Sequence, residues 1–306
     1  MEKHKLETLN LSVLKALDFF KANRPVALDL KKYSFPIVVG SGNAINAGLA
    51  MFSGRKAIFA NESNFRRQLK DYRSLIAHKD ITHAVVISAS GEKDSVWEIK
   101  ATKKVGLKTV LLTCSPESTA AKLADESHFF RKLAEPYTYN VSTYLGMLIA
   151  SSKEKPGDIA ASILKLKLPF NFKKYRAYSF IVPDEFGSIA PMLEIKRNEL
   201  FGPNVSLRAC TFGEARHAKF VVREKDELVI SFGKNEYFGH QKSRLEINVP
   251  RSAGIAWMMS VGYFLIGLIQ DGKPDYFGKH IKNFCTDYGY KAYEGSKPFP
   301  VIVPGN

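Results

Sequence analysis

The sequence predicts an α/β protein made of parallel sheets with helices on both faces. Short apolar runs rich in β-branched residues, such as 37–39 and 83–87, alternate with stretches of helical periodicity. The runs lack the polar alternation of a half-exposed strand, and continuously apolar strands are typical of parallel sheets covered on both sides. The alternation restarts near residue 178, so we expect two flavodoxin-like lobes, each with its own parallel sheet.

The first half of the chain contains a leading helix, several strands and the loops that join them. The helix over 5–21 is predicted from leucines at helical spacing. The strand at 37–39 ends in Gly40-Ser41-Gly42-Asn43, and a helix over 44–52 follows. The other predicted elements are strands at 56–60, 83–87 and 109–113, a helix over 95–105 that ends at Gly106, and a fifth strand that begins at 128.

A polar stretch over residues 151–158 interrupts this pattern and predicts a domain boundary. The second half then repeats the order of the first with little sequence identity. Its predicted elements are strands at 178–182 and 227–232 and a helix over 191–200. We therefore expect two domains, 1–152 and 153–306, each close to the roughly 150 residues that one core supports.

The composition favours a globular protein with an anionic partner. The 306 residues include 45 Lys and Arg against 30 Asp and Glu, which gives a net charge of +15. This balance suits nucleic acid, a membrane surface or a phosphorylated small molecule. No run of five basic residues occurs, and the densest clusters, around Lys165 and Lys174, alternate with apolar residues. The pattern indicates solvated helix and linker faces, so we expect no nucleic-acid partner.

Cysteine content and hydropathy indicate the expected compartment. Three cysteines without CxxC spacing argue against a disulfide framework and favour a reducing cytoplasm. The first residues lack the apolar core of a signal peptide. The most apolar stretch, 255–269, is short and interrupted by glycine, which predicts a buried helix rather than a membrane span. We therefore expect a cytoplasmic protein without a membrane partner.

Two loops follow predicted strands and run into predicted helices. One contains Ser41, Gly42 and Asn43, and the other is Ser88-Ala89-Ser90-Gly91-Glu92-Lys93-Asp94-Ser95. Ligands of open α/β sheets bind at the carboxyl ends of the strands, and helix N-termini favour anions. The hydroxyls of Ser88, Ser90 and Ser95 and the charge of Lys93 suit a phosphate. The alternative is that these residues only turn the chain and cap helices.

The second loop resembles a family signature. Residues 88–92 are similar to the Ser-x-Ser-Gly-Glu/Asn motif of sugar isomerase (SIS) domains, in which the serines bind the phosphate of a sugar phosphate. The chain departs from the family at two places. Lys93 stands where the family usually has Thr, and Asn43-Ala44 stands where it often has Thr-Ser.

The second half carries a further resemblance. Gly213-Glu214-Ala215-Arg216-His217-Ala218 is similar to the Gly-Glu-Leu-Lys-His-Gly motif in the isomerase domain of glucosamine-6-phosphate synthase. The resemblance implies that His217 opens the sugar ring and that a Glu of the preceding helix moves a proton between C1 and C2. Glu199 is the candidate base, with Glu194 in reserve, and Arg216 is a candidate to stabilise oxyanion charge. A carboxylate and an imidazole suit this enediol chemistry near neutral pH.

A third stretch, 135–143, resembles the family's Glu-x-x-x-Ala-Ser-Thr segment, which lies beside the sugar. The resemblance implies that Glu135 and Ser142 contact the ligand. Helix capping is an equal alternative for Ser142 and for its neighbour Thr143.

The resemblance to the double SIS family, which includes bifunctional phosphoglucose/phosphomannose isomerases, implies a homodimeric aldose–ketose isomerase of a hexose phosphate. The alternatives are a glucosamine-6-phosphate deaminase or deglycase and a non-catalytic sugar-phosphate-binding regulator. The sequence has no metal-ligand spacing, Walker loop or complete dinucleotide fingerprint. We therefore expect neither a metal nor another cofactor.

Overall fold

The computed structural model describes residues 6–286 and 298–306, and its core is formed by two parallel sheets with flanking helices. The first sheet has five strands in the order β2-β1-β3-β4-β5, all parallel. Its strands are β1 Ile37–Gly40, β2 Ile58–Ala60, β3 His83–Ile87, β4 Lys108–Thr113 and β5 Glu126–Phe129. Its helices are α2 Asn43–Met51, α3 Phe65–Asp71, α4 Arg73–Ala77, α5 Asp94–Lys104 and α6 Thr119–Leu123.

The second sheet repeats this order with four parallel strands, β10-β9-β7-β8. Its strands are β7 Ala177–Val182, β8 Ser206–Thr211, β9 Glu227–Phe232 and β10 Arg244–Ile247. The helices around it are α1 Leu9–Ala22, α8 Pro156–Leu164, α9 Ala190–Leu200, α10 Phe212–Ala215, α11 Ile255–Asp271 and α12 Tyr276–Thr286. The short strands β6 Glu135–Pro136 and β11 Ile302–Val303 pair antiparallel, and helix α7 covers Val141–Ser152.

The chain divides into two compact units whose boundaries differ from the predicted 152/153 border. The first-sheet unit comprises 23–132, 143–153 and Asn306, and the second-sheet unit comprises helix α1, 133–142, 154–286 and 298–305. Helix α1 packs on α11, where a Cβ on Gly267 would come within 1.9 Å of the Asn10 nitrogen. The Leu9 N–H also donates to Gln270 Oε1 at 2.8 Å. The periodicity of α1 predicts an apolar face but does not reveal which sheet that face covers.

The interior of each sheet explains why its strands read as apolar runs. Every residue of β1 is buried, and so is every residue of β9. The second sheet also holds a charged network. Arg208 on β8 forms a two-oxygen contact with Glu227 on β9, at 2.9 and 3.1 Å, and both side chains bond the Ser179 hydroxyl on β7. Such pairing satisfies charges that are costly to bury alone.

Among the described helices, none is by itself both long and apolar enough to cross a membrane. Helices α11 and α12 reach that length and hydropathy only when taken together, across a bend of 115°.

Candidate functional site

The predicted loops after β1 and β3 meet at the carboxyl edge of the first sheet. In the order β2-β1-β3-β4-β5, the connection from β1 leads to one side and the connection from β3 leads to the other. This change of direction opens a crevice, which is where ligands of flavodoxin-like sheets bind. The Ser41 hydroxyl donates to Asp94 Oδ2 at 3.2 Å and so ties the two loops together. Asn43 is buried as the first residue of α2.

Gly91 allows the β3 loop to fold against the next connection of the sheet. Its φ of +62° lies in the left-handed region, and an added Cβ would stand 2.1 Å from the Ser118 hydroxyl. Its carbonyl accepts from the Ala120 N–H at 2.9 Å. The Ser88 hydroxyl accepts from the Gly91 N–H at 3.2 Å. The glycine of the Ser-x-Ser-Gly-Glu sequence is therefore required by local packing.

The other polar residues of the loop divide into inner and outer positions. Glu92 accepts from the Thr119 N–H at 2.8 Å and so satisfies a donor at the start of α6. Ser95 is buried, and its hydroxyl donates to the Glu92 carbonyl at 2.8 Å. Ser90 is exposed and Ser88 is half-buried. The two serines at the mouth of the loop therefore remain accessible, whereas the Ser95 hydroxyl is used within it.

Gly42 and Lys93 adopt nearly the same backbone conformation. Each immediately precedes a helix, α2 or α5, with φ/ψ of 56°/−125° for Gly42 and 58°/−118° for Lys93. This region suits glycine, and a side chain there costs about 1–3 kcal/mol. Partial burial lowers the pKa of Lys93, and the charge of Asp94 opposes that shift. A strained cation thus stands at the N-terminus of α5, beside the loop serines.

A buried carboxyl lies one turn further along α5. Glu98 is 1% exposed, and its Oε1 has no hydrogen-bond partner among the described residues. Burial, together with the negative charges of Asp94 and Glu62, raises its pKa to about 8. Glu98 therefore holds a proton at neutral pH. Sequence reasoning missed this residue, although its i,i+4 spacing from Asp94 on a helix was a readable signal.

Glu135 and Ser142 form a buried cap at the start of α7. Glu135 Oε2 accepts from the N–H groups of Val141 and Ser142 at 2.9 and 3.2 Å, and Oε1 accepts from the Ser142 hydroxyl at 3.1 Å. The Ser142 hydroxyl also accepts from the Leu133 N–H at 3.0 Å. A carboxylate at a helix N-terminus is favourable. The structure thus uses both side chains in hydrogen bonds around the start of α7, and the carboxylate of Glu135 caps this helix.

Glu199 forms a buried ion pair within the second-sheet unit. Its Oε2 lies 2.6 Å from Lys196 Nζ, which also donates to the Thr138 carbonyl at 2.7 Å. The Lys196 side chain is fully buried and that of Glu199 is 13% exposed. Burial raises the pKa of Glu199, and the Lys196 charge opposes this. Lys196 was not among the residues predicted from the sequence, although its i,i+3 spacing from Glu199 on a helix predicts a contact between the two side chains.

The other residues of the predicted catalytic set lie elsewhere on the second-sheet unit. His217 and Arg216 are exposed just after α10, and Glu194 accepts from the Ala209 N–H at 3.0 Å. β7 and β8 are parallel, so α9 between them runs back across the sheet. Glu199 therefore lies at the edge where β8 begins, and His217 follows the edge where β8 ends. Since α9 spans about 15 Å, one copy of the chain does not bring Glu199 and His217 together.

The parallel sheets and the loops at the crevice of the first sheet define a flavodoxin-like α/β protein. Neither a family model nor a curated protein matches the sequence. Within residues 6–286 and 298–306, no group of three or more His, Cys, Asp or Glu side chains is placed to hold a metal ion.

Comparison with solved structures gives the particular resemblances. The C-terminal domain of glucosamine-fructose-6-phosphate aminotransferase from Francisella tularensis matches 87% of this chain and 95% of its own, with a TM-score of 0.55 and 14% identity. Glucosamine-6-phosphate deaminase from Thermotoga maritima matches 86% of this chain and 91% of its own, with a TM-score of 0.56 and 16% identity. Tagatose-6-phosphate ketose/aldose isomerase from Escherichia coli matches 86% of this chain and 90% of its own, with a TM-score of 0.54 and 12% identity. At such identities the likeness establishes the fold alone.

Proposed function

We propose that the chain binds a phosphorylated sugar and holds its phosphate on the loops after β1 and β3. The observation that carries this proposal is the Ser41–Asp94 hydrogen bond, which joins the two loops at the crevice of the first sheet. Accessible hydroxyls of Ser88 and Ser90, the Lys93 charge and the N-terminus of α5 are suitable partners for a phosphate. The three similar structures have names that include a phosphorylated sugar, which supports the same ligand class.

The reaction that we propose is the interconversion of an aldose and a ketose hexose phosphate through a cis-enediol or enediolate. Glu199 is the proposed base: it takes a proton from one sugar carbon and returns it to the neighbouring carbon. A carboxyl whose pKa is raised by burial suits both halves of this transfer. Lys196, at 2.6 Å from Glu199, supplies a positive charge that would stabilise the enediolate oxygens.

The proposed ring-opening residue, His217, requires a second copy of the chain. Since Glu199 and His217 lie at opposite edges of the second sheet, a homodimer is the arrangement in which one copy supplies the base and its partner the imidazole. We propose such a dimer, with Arg216 beside the imidazole. We also propose that the two sheets with their helices are two SIS lobes, as the repeated strand order suggests.

A non-catalytic sugar-phosphate-binding protein is the second candidate. The separation of Glu199 from His217 within one chain favours it, because phosphate binding at the first sheet needs neither residue.

A deaminase of glucosamine 6-phosphate differs from the proposed isomerase by the release of ammonia, and a colorimetric ammonia assay would separate the two reactions.

The ligand is tested by thermal unfolding with glucose, mannose, fructose and glucosamine 6-phosphates. A ligand that binds only the folded chain raises the midpoint as its concentration grows. The double variant Ser88→Ala, Ser90→Ala is expected to lose this shift, and Ser74→Ala, an exposed serine of the same unit, is expected to retain it. No shift with any of the four compounds would refute sugar-phosphate binding.

The reaction is tested by NMR in deuterated water, because proton transfer through an enediol introduces deuterium at C2. Glu199→Gln should abolish this exchange while the thermal shift by the ligand persists. Glu224→Gln, an exposed carboxylate of the same unit, serves as the control. If binding occurs without exchange in the wild-type chain, the non-catalytic candidate replaces the isomerase.

A further inference from the structure

A basic cavity lies at the amino edge of the second sheet. β7, β9 and β10 are adjacent and parallel, so the segments that lead into them meet at one edge. Each segment carries exposed basic side chains near its strand: Lys174 and Arg176 before β7, Lys225 before β9, and Lys242 before β10. All four line one cavity of about 650 Å³, a volume in the range of small-molecule sites.

The cavity has an excess of positive charge. Across the described part of the chain, none of these four side chains forms an ion pair. The lining contains a single acidic residue, Asp226. Four cations against one carboxylate leave a charge of +3 around a shared space. Like charges gathered in this way repel one another, and a bound anion would remove that repulsion.

Neutral donors in the lining add directional hydrogen bonds. The Tyr175 hydroxyl accepts from Asn171 Nδ2 at 2.9 Å, and its own proton serves no hydrogen bond to a described residue. His240 Nδ1 accepts from the Lys242 N–H at 3.3 Å, so the ring N–H that can donate is on Nε2. The cavity thus combines cations with O–H and N–H donors, the set that recognises phosphate oxygens.

We propose that this cavity is a second anion site, which binds a small soluble molecule with at least two phosphate groups. The charge argues for more than one phosphate, because a single group would leave part of the +3 uncompensated. The lining residues also distinguish this site from the sugar-phosphate proposal. That proposal holds the phosphate on the loops after β1 and β3 and uses Glu199 as the base, and none of these residues lines the basic cavity.

The test is calorimetric titration of the full chain with pyrophosphate in low salt without divalent cations. The double variant Lys225→Gln, Lys242→Gln is expected to lower the affinity at least about tenfold. The matched control Lys155→Gln, Lys219→Gln removes the same charge from exposed positions of the same unit outside this cavity, and it should change the affinity less than about twofold. Inorganic phosphate should bind about tenfold more weakly than pyrophosphate.

Three results would overturn the proposal. Equal losses in the two double variants would mean that only net charge attracts the ligand. Loss of pyrophosphate binding in Ser88→Ala, Ser90→Ala would place the ligand on the first sheet. A single-stranded oligonucleotide that binds about a hundredfold tighter than pyrophosphate and is released by the cavity variant would make the surface a nucleic-acid site. Retained binding in the serine variant supports a separate site, whether or not sugar phosphates bind.

Discussion

Replacing Glu98 by Gln should remove a loss of stability that we expect as the pH rises from about 5 to about 8. The folded pKa of Glu98 is raised to about 8 from an ordinary value of 4.5. Between these two pH values the folded chain binds one proton more than the unfolded chain. The free energy of unfolding therefore falls by about 1.4 kcal/mol for each pH unit in this window. From pH 5 to pH 7 the loss is about 3 kcal/mol, and Glu98→Gln removes it because the amide does not titrate.

The assay is urea unfolding of both proteins at pH 5, 6, 7 and 8. Trp97 is a built-in reporter, since it lies beside Glu98 on α5 and its indole N–H donates to Asp94 at 3.0 Å. The chain has two tryptophans, so a Trp257→Phe background assigns the fluorescence to Trp97. The stability of the variant relative to its parent should rise by about 3 kcal/mol between pH 5 and pH 7.

The control is Glu117→Gln, which removes an exposed carboxylate from the same unit. Its stability relative to the parent should change by less than about 0.5 kcal/mol over the same range. The reasoning about Glu98 is refuted if the difference between Glu98→Gln and its parent does not depend on pH. It is also refuted if the difference grows toward acid, because that would mean a carboxylate stabilised in its charged form.

Two further predictions concern the β3 loop. Lys93→Gly should stabilise the chain by about 1 kcal/mol in urea unfolding, because it relieves the φ of +58°. It should also weaken the thermal shift by glucose 6-phosphate, while Lys93→Arg should change neither. Gly91→Ala should destabilise the chain by at least about 2 kcal/mol, because its Cβ would collide with the Ser118 hydroxyl. Adding Ser118→Gly should recover part of that loss, and no recovery would contradict the collision.

The strands and the crevice loops could be predicted because their signals are local. The run 83–87 was predicted and is β3, and the loop after it begins at Ser88 as expected. Period, β-branching and the Gly-Ser content of the loops are set within a few residues. The side-by-side placement of the β1 and β3 loops follows from strand order, which the βαβ pattern restricts to few topologies.

Partners across long sequence separations could not be predicted in this way. The position of α1 depends on its close packing against α11 at Gly267, more than two hundred residues away in the sequence. The left-handed backbone of Lys93 has no residue signature, since a lysine is not the expected choice there. The motif that contains Glu135 predicts a contact with the ligand, whereas in the structure the Glu135 carboxylate accepts from N–H groups of α7. A motif specifies residue types, whereas the packing decides which donor each oxygen meets.

The two proposed anion sites illustrate how one topology can favour anions by different physical means. At the carboxyl edge of the first sheet the donors are mainly hydroxyls and helix N–H groups, and Asp94 offsets the charge of Lys93. At the amino edge of the second sheet the donors are mainly side-chain cations from segments distant in sequence. Salt screens exposed cations far more than fixed neutral donors. Added salt should therefore weaken the binding of pyrophosphate at the basic cavity much more than the binding of a sugar phosphate at the crevice. Equal salt dependence of the two affinities would indicate a single mode of binding.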